Sequence, residues 1–170
     1  LKSTTHRKVY VFFISCLAAS ISLGKVPMSL SLIGLSLNWV LELDFQIKWK
    51  KIKDQKYLPI IFSGLFLIEL LWLPISKDTI IGLNVLRIKL PLLLLPLIIG
   101  SSASISKREW KTIITTFFIG ILVSTIWVYL VSLEILPTKK ESGTVRDASI
   151  FMSHIRYSVL LSFSAVLILC

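Results

Sequence analysis

Several ionisable residues lie within or beside long apolar segments, where a charge is costly and therefore raises a functional hypothesis. Arg87 falls about seven residues, or roughly 10 Å, into one such segment at 1.5 Å per residue. Glu69 lies inside another, and His154 and Arg156 stand where a polar stretch passes into a third. The guanidinium fork of arginine matches phosphate oxygens and keeps its charge, whereas histidine titrates near neutral pH. These residues predict an anion site that opens to one side of a membrane.

Each of these residues also has a structural interpretation, and the sequence leaves both open. The Arg87 guanidinium could extend to the lipid headgroups, or its helix could begin only at Leu86. For Glu69 a structural role is favoured over a proton relay. Its carboxyl would then be the partner of an arginine such as Arg87, or would be hydrogen-bonded to a neighbouring helix. His154 and Arg156 could be ordinary interfacial residues at the N-terminus of a helix.

The composition indicates the environment in which these residues lie. Of 170 residues, 55% are apolar and 16% are charged, and the mean hydropathy is +0.83. A soluble domain carries roughly 25% charged residues, and apolar blocks of about 20 residues are typical of membrane-spanning helices. The 19 Lys and Arg exceed the 9 Asp and Glu, but they stand between apolar blocks, where topology and anionic headgroups explain them. The sequence therefore predicts an all-α membrane protein whose partner is the lipid bilayer, with no nucleic-acid partner.

The apolar blocks predict a polytopic helical bundle of about six transmembrane helices in a single membrane domain, 1–170. The predicted helices are residues 9–23, 26–43, 57–75, 80–100, 113–136 and 157–170. Because the chain begins with Leu1 and stops at Cys170 within an apolar run, we expect truncation at both ends. Cys16 and Cys170 indicate no disulfide framework. No metal-ligand spacing and no nucleotide-binding loop occurs in the sequence, so we expect no metal and no cofactor.

The distribution of lysine and arginine predicts the orientation. Five lysines lie within residues 44–56, and a short loop this basic translocates poorly. We therefore predict a cytoplasmic N-terminus, with segments 76–89 and 137–156 on the outer side. Three tryptophans fall near predicted helix ends, as expected for rings at headgroup level; they are Trp39, Trp72 and Trp110.

Two runs of the sequence carry a family resemblance. One is Leu86-Arg-Ile-Lys-Leu-Pro-Leu-Leu-Leu-Leu-Pro-Leu97, which a basic loop follows. The other is Phe151-Met-Ser-His-Ile-Arg-Tyr-Ser158, at the opening of a helix. Together they resemble the O-antigen ligase family, multi-pass enzymes of the inner membrane of Gram-negative bacteria. The second run is similar to the family's His-Pro-Ile-x-Phe-Gly element, although proline is absent here and Tyr-Ser replaces Phe-Gly. The resemblance covers residues 57–170.

This resemblance implies glycan transfer at the periplasmic face of the inner membrane, without a metal or another cofactor. The donor would be an undecaprenyl-pyrophosphate-linked glycan, and the acceptor a sugar hydroxyl of lipid A-core. A departing pyrophosphate needs fixed cations, so Arg87, Arg156 and His154 are the candidate substrate-binding residues. In the family, the large loop that carries the essential arginine and histidine comes later in the chain. The catalytic residues are therefore expected downstream of Cys170, and the fragment by itself is expected to be inactive.

Three other functions stay open. An O-antigen polymerase would share this membrane core and differ in its acceptor. A secondary transporter would use Glu69, Arg87 and the proline-interrupted helix at 80–100 as its site. A non-catalytic membrane subunit would use the basic segment 44–56 as its contact.

Overall fold

The computed structural model describes residues 2–73, 79–133 and 154–169, and all regular structure in these ranges is helical. This confirms the predicted all-α class for the described residues. The helices are α1 (Lys2–Leu23), α2 (Lys25–Leu41), α3 (Phe45–Asp54), α4 (Leu58–Trp72), α5 (Thr79–Ser101), α6 (Lys107–Ser132) and α7 (His154–Leu169).

Two of these helices, α5 and α6, are long and apolar enough to cross a membrane. The pair α2 and α3 counts as a third candidate if it is one broken span, bent by 108°. With 15 and 16 residues, α4 and α7 fall short of the ~20 residues that a span needs. The first two turns of α1 contain the basic residues Lys2, Arg7 and Lys8, and α1 is not among the candidate spans. The described residues therefore contain two spans, or up to three, and six transmembrane helices are not supported.

The helix bounds differ from the predicted ones where polar residues continue or build a helix. The helix predicted at 113–136 begins at Lys107, because Ser106 and Glu109 form a capping box at its N-terminus. The Ser106 Oγ accepts from the Glu109 amide at 3.3 Å, and the Ser106 amide donates to Glu109 Oε2 at 2.7 Å. Within the polar segment 44–56, the chain forms α3. The residues at 74–78, and most of the predicted outer segment 137–156, lie outside the described residues.

One compact unit comprises Leu1–Arg7 and Leu35–Ser104. Here α4 packs along α5, and α3 packs against both. Gly100 lies directly against Pro59, since a Cβ added at Gly100 would be 2.2 Å from Pro59 Cγ. The buried Ser63 hydroxyl on α4 donates to the Leu93 carbonyl on α5 at 3.1 Å. These contacts set the register in which the charged residues of α4 and α5 meet.

The second unit comprises Lys8–Gly34 and Ile105–Cys170. At Gly120, α6 comes so close to α1 that an added Cβ would lie 2.6 Å from the Ala19 carbonyl oxygen. Small residues permit such close approach between membrane helices. Phe117 of α6 meets Phe163 of α7 edge to face, with ring centroids 6.2 Å apart. Gly120 is therefore a position of this unit at which an added side chain would collide with backbone.

We expect Gly120→Ala to lower the free energy of unfolding by about 1–3 kcal/mol, since the added methyl group meets backbone that cannot rotate away. The matched control is Gly64→Ala on α4, where an added Cβ meets nothing within 4 Å. Alanine is the better helix former by up to about 1 kcal/mol, so the control should be neutral or stabilising. Reversible unfolding of both variants in detergent measures the difference, and equal stabilities would contradict the α1–α6 contact.

Candidate functional site

Glu69 of α4 and Lys89 of α5 form a direct ion pair between neighbouring helices. The Lys89 ammonium donates to Glu69 Oε1, and the two side chains are 35% and 38% exposed. Lys89 lies near the middle of α5, a candidate span. A lysine at the centre of a span costs about 2.5–3.5 kcal/mol on insertion scales. The facing carboxylate offsets this cost, so the pair neutralises itself.

Arg87 precedes Lys89 by two residues on α5 and is exposed. At 3.6 residues per turn, two positions separate the side chains by about 200° around the helix, so Arg87 and Lys89 point to different faces. Within the described ranges the Arg87 side chain has no ion pair or hydrogen bond. We expected Glu69 to pair with an arginine such as Arg87, and this is wrong, because the ion-pair partner of Glu69 is Lys89. The structural role favoured for Glu69 gains a concrete form in this ion pair.

His154 and Arg156 lie in the first turn of α7, and His154 is its first residue. The side chains of both fall outside the described set, as do residues 151–153 of the same run. The structure places Arg87 in one compact unit and the α7 residues in the other. The role of His154 and Arg156 in anion binding therefore stays a prediction.

A cluster of residues around one buried lysine, Lys48, lies where α2 passes into α3. The sequence did not indicate it. Lys48 is only 4% exposed and donates to the Trp39 carbonyl oxygen. Its Nζ lies 3.1 Å from Glu42 Oε2. The same ammonium stands 4.7 Å from the centroid of the Trp39 ring and 5.3 Å from that of Phe45. These four residues, the Lys48 cluster, satisfy a buried charge with a carboxylate, a carbonyl and two aromatic faces.

Two further polar contacts join distant parts of the same unit. Trp39 Nε1 donates to the buried Ser101 hydroxyl at 2.7 Å, linking α2 to the end of α5. His6 Nδ1 lies 2.9 Å from Asn38 Oδ1, and Asn38 Nδ2 donates to the His6 carbonyl at 3.1 Å. Neither contact could be predicted from a regular spacing of residues, since the partners are far apart along the chain.

The arrangement on α4 and α5 offers one exposed guanidinium, that of Arg87, and on a different face of α5 an ion pair in which Lys89 and Glu69 neutralise each other. Among the residues that the structure describes, no three His, Cys, Asp or Glu side chains come together as a metal site. The site can therefore attract an anion through Arg87, while Glu69 and Lys89 hold the two helices together.

No protein-family model matches this chain, and no curated protein and no solved structure matches it either. The long apolar helices α5 and α6 define a helical protein associated with a membrane.

Proposed function

We propose that the chain is part of an O-antigen ligase-like enzyme of the bacterial inner membrane. It would transfer a glycan from undecaprenyl pyrophosphate to a sugar hydroxyl of lipid A-core at the periplasmic face. One observation carries the proposal: Glu69 takes Lys89 as its partner, and Arg87 is left exposed with no partner among the described residues. Arg87 is then the free cation of this stretch of α5.

The chemistry of the donor matches a free arginine within a candidate span. A lipid-linked pyrophosphate lies at headgroup level and must be stabilised as its negative charge grows on departure. Arginine supplies a fixed charge and two parallel N–H donors for this purpose. With a long apolar stem, the Arg87 side chain can reach the headgroup level from within α5.

The same ion pair bears on the choice between a ligase and a secondary transporter. A transporter that relays protons through Glu69 needs that carboxyl to be available to its substrate ion. In the structure the carboxyl is held by Lys89. This supports anion binding at Arg87 over proton relay at Glu69.

Binding of a short-chain polyprenyl pyrophosphate to the chain in nanodiscs tests the proposal. We expect Arg87→Gln to weaken binding by roughly ten- to a hundredfold, since a charge-assisted hydrogen bond contributes about 1.5–3 kcal/mol. The matched control is Arg108→Gln, which removes another exposed arginine, at the start of α6. Polyprenyl alcohol, which lacks the phosphates, should bind both variants and the parent chain equally. Equal affinities of Arg87→Gln and the parent chain for the pyrophosphate would contradict the proposal.

The proposed orientation places the N-terminus in the cytoplasm. A reporter fused after Gln55 should be active on the cytoplasmic side, and one fused after Ser142 on the periplasmic side. This requires three crossings between the two sites, so the proposed orientation takes α4, with its 15 residues, as a span besides α5 and α6. The reason is the lysine-rich segment 44–56, which resists translocation. Paired phosphatase and fluorescent-protein fusions at both sites measure this, and reversed signals at both would refute the orientation.

A further inference from the structure

A basic and aromatic surface covers the outer side of α3. We define the α3 surface as Ile47, Trp49, Lys50, Lys53 and the adjoining Lys56. All five residues are exposed, with Ile47 at 56% and Trp49 at 51%. Within the described ranges none of the three lysines has an ion-pair partner. The surface therefore combines uncompensated positive charge with large apolar side chains.

The opposite side of α3 fastens the helix to its own unit. Lys48 and Ile52, one turn apart, are both buried. With Lys48 held in the Lys48 cluster, the inner side of α3 is occupied. Trp49 and Lys53 are also four residues apart and are therefore neighbours on the helix surface. Ile47 and Trp49 are two positions apart, so they lie at opposite edges of the exposed side of α3, with Lys50 and Lys53 between them. The α3 surface is thus the whole exposed side of a helix whose other side is buried.

The direction of α3 suits a helix at the surface of a bilayer. Its axis is bent by 108° from that of α2. If α2 enters the bilayer, a helix nearly at right angles to it runs along the headgroup layer. The Lys48 cluster joins the end of α2 to α3, through the Trp39 carbonyl and the carboxylate of Glu42, the residue that follows α2. It therefore holds the bend that sets this direction.

We propose that the α3 surface binds anionic lipid headgroups. The ammonium groups of Lys50, Lys53 and Lys56 contact lipid phosphates, and the Trp49 ring lies at headgroup level. Ile47 enters the boundary between headgroups and acyl chains, as apolar side chains of interfacial helices do. Charge complementarity selects this partner, since α3 contains three other basic residues and one acid, Asp54, besides Lys48. The chain would thus prefer anionic to zwitterionic lipid around α3.

Lipid-specific quenching of Trp49 tests this proposal on the 170-residue chain in nanodiscs. The discs contain phosphatidylcholine with 30 mol% phosphatidylglycerol, and one or the other lipid carries brominated acyl chains. The signal of Trp49 is the difference between the parent chain and Trp49→Phe. We expect phosphatidylglycerol to be preferred at Trp49 by at least about fivefold, because even one lysine near an anionic surface contributes about that factor. High salt should weaken the preference by screening.

The charge variant Lys50→Gln/Lys53→Gln/Lys56→Gln should lose most of the preference. Its matched control, Lys107→Gln/Arg108→Gln/Lys111→Gln, removes three exposed cations from the start of α6 and should keep it. Both variants change the net charge equally, so only the position of the charges differs. Quenching of the parent chain by the two lipids in proportion to their mole fractions would overturn the proposal and favour a protein partner for α3. Equal losses in the charge variant and its control would overturn it as well.

Discussion

We expect Arg87→Lys to lower glycan transfer by roughly ten- to a hundredfold in the whole enzyme of which the chain is proposed to be part, although the positive charge is kept. An ammonium group cannot reproduce the two parallel hydrogen bonds of a guanidinium to a pyrophosphate. The loss of one charge-assisted hydrogen bond costs about 1.5–3 kcal/mol, which is tenfold or more in rate if the bond acts in the transition state. Arg156→Lys should have an effect of the same size if Arg156 also contacts the donor. His154→Ala should cost less if His154 only orients the start of α7.

Transfer is measured in cells as the amount of glycan joined to lipid A-core, with the level of each variant checked by immunoblot. Arg108→Lys serves as the matched control, since Arg108 is an exposed arginine outside the α4–α5 pair. It should transfer glycan at the parent rate. If an arginine only extends to headgroups, lysine replaces it without loss. Near-normal transfer by Arg87→Lys and Arg156→Lys together would remove both residues from the site.

Removing either partner of the Glu69–Lys89 pair should destabilise the chain more than removing both. We expect Glu69→Gln and Lys89→Met each to lower the free energy of unfolding by about 2–3 kcal/mol, because each leaves one charge uncompensated beside apolar surface. This is below the cost for a fully buried pair, since both side chains are about one third exposed. The double variant should cost less than either single change. The comparison of single and double variants therefore measures the interaction between Glu69 and Lys89, and not the effect of either charge alone.

A double-mutant cycle by reversible unfolding in mixed micelles gives the coupling energy of the pair. Lys107→Met, an exposed lysine at the start of α6, is the matched control for the loss of a lysine. It should change the stability by less than about 0.5 kcal/mol. Additive costs in the double variant would mean that Glu69 and Lys89 do not interact in the membrane.

Apolar blocks in the sequence located the helices well where hydrophobicity is continuous. The helix predicted at 80–100 is α5, Thr79–Ser101, and that predicted at 26–43 is α2, Lys25–Leu41. The number of spans was not predictable in the same way, since an apolar block marks a helix without giving its full length. The helix α3 was missed because its polar residues carry no hydrophobic block. The burial of Lys48 depends on Trp39 and Phe45, which only the folded chain brings to it.

For the candidate site, the sequence could identify the charged residues but could not pair them. Charge inside an apolar segment singled out Glu69 and Arg87. Which of Arg87 and Lys89 faces α4 depends on the rotation of α5 about its axis. That rotation follows from contacts such as Ser63 with the Leu93 carbonyl. Tertiary packing therefore decides that Lys89 is the partner and that Arg87 is exposed.

The central claim is that Lys89 forms an ion pair with Glu69 and that Arg87 is left without a partner. Nitrogen–carbon distances measured by solid-state NMR in lipid bilayers test it most directly. With ¹⁵N in the lysine side chains and ¹³C in the glutamate carboxyls, we expect a close Lys89–Glu69 contact that Glu69→Gln abolishes. The contact between Lys48 and Glu42 should survive this change and serves as the internal control. With ¹⁵N in the arginines instead, Arg87 should show no contact with Glu69. A close contact between Arg87 and Glu69, with none from Lys89, would contradict the claim.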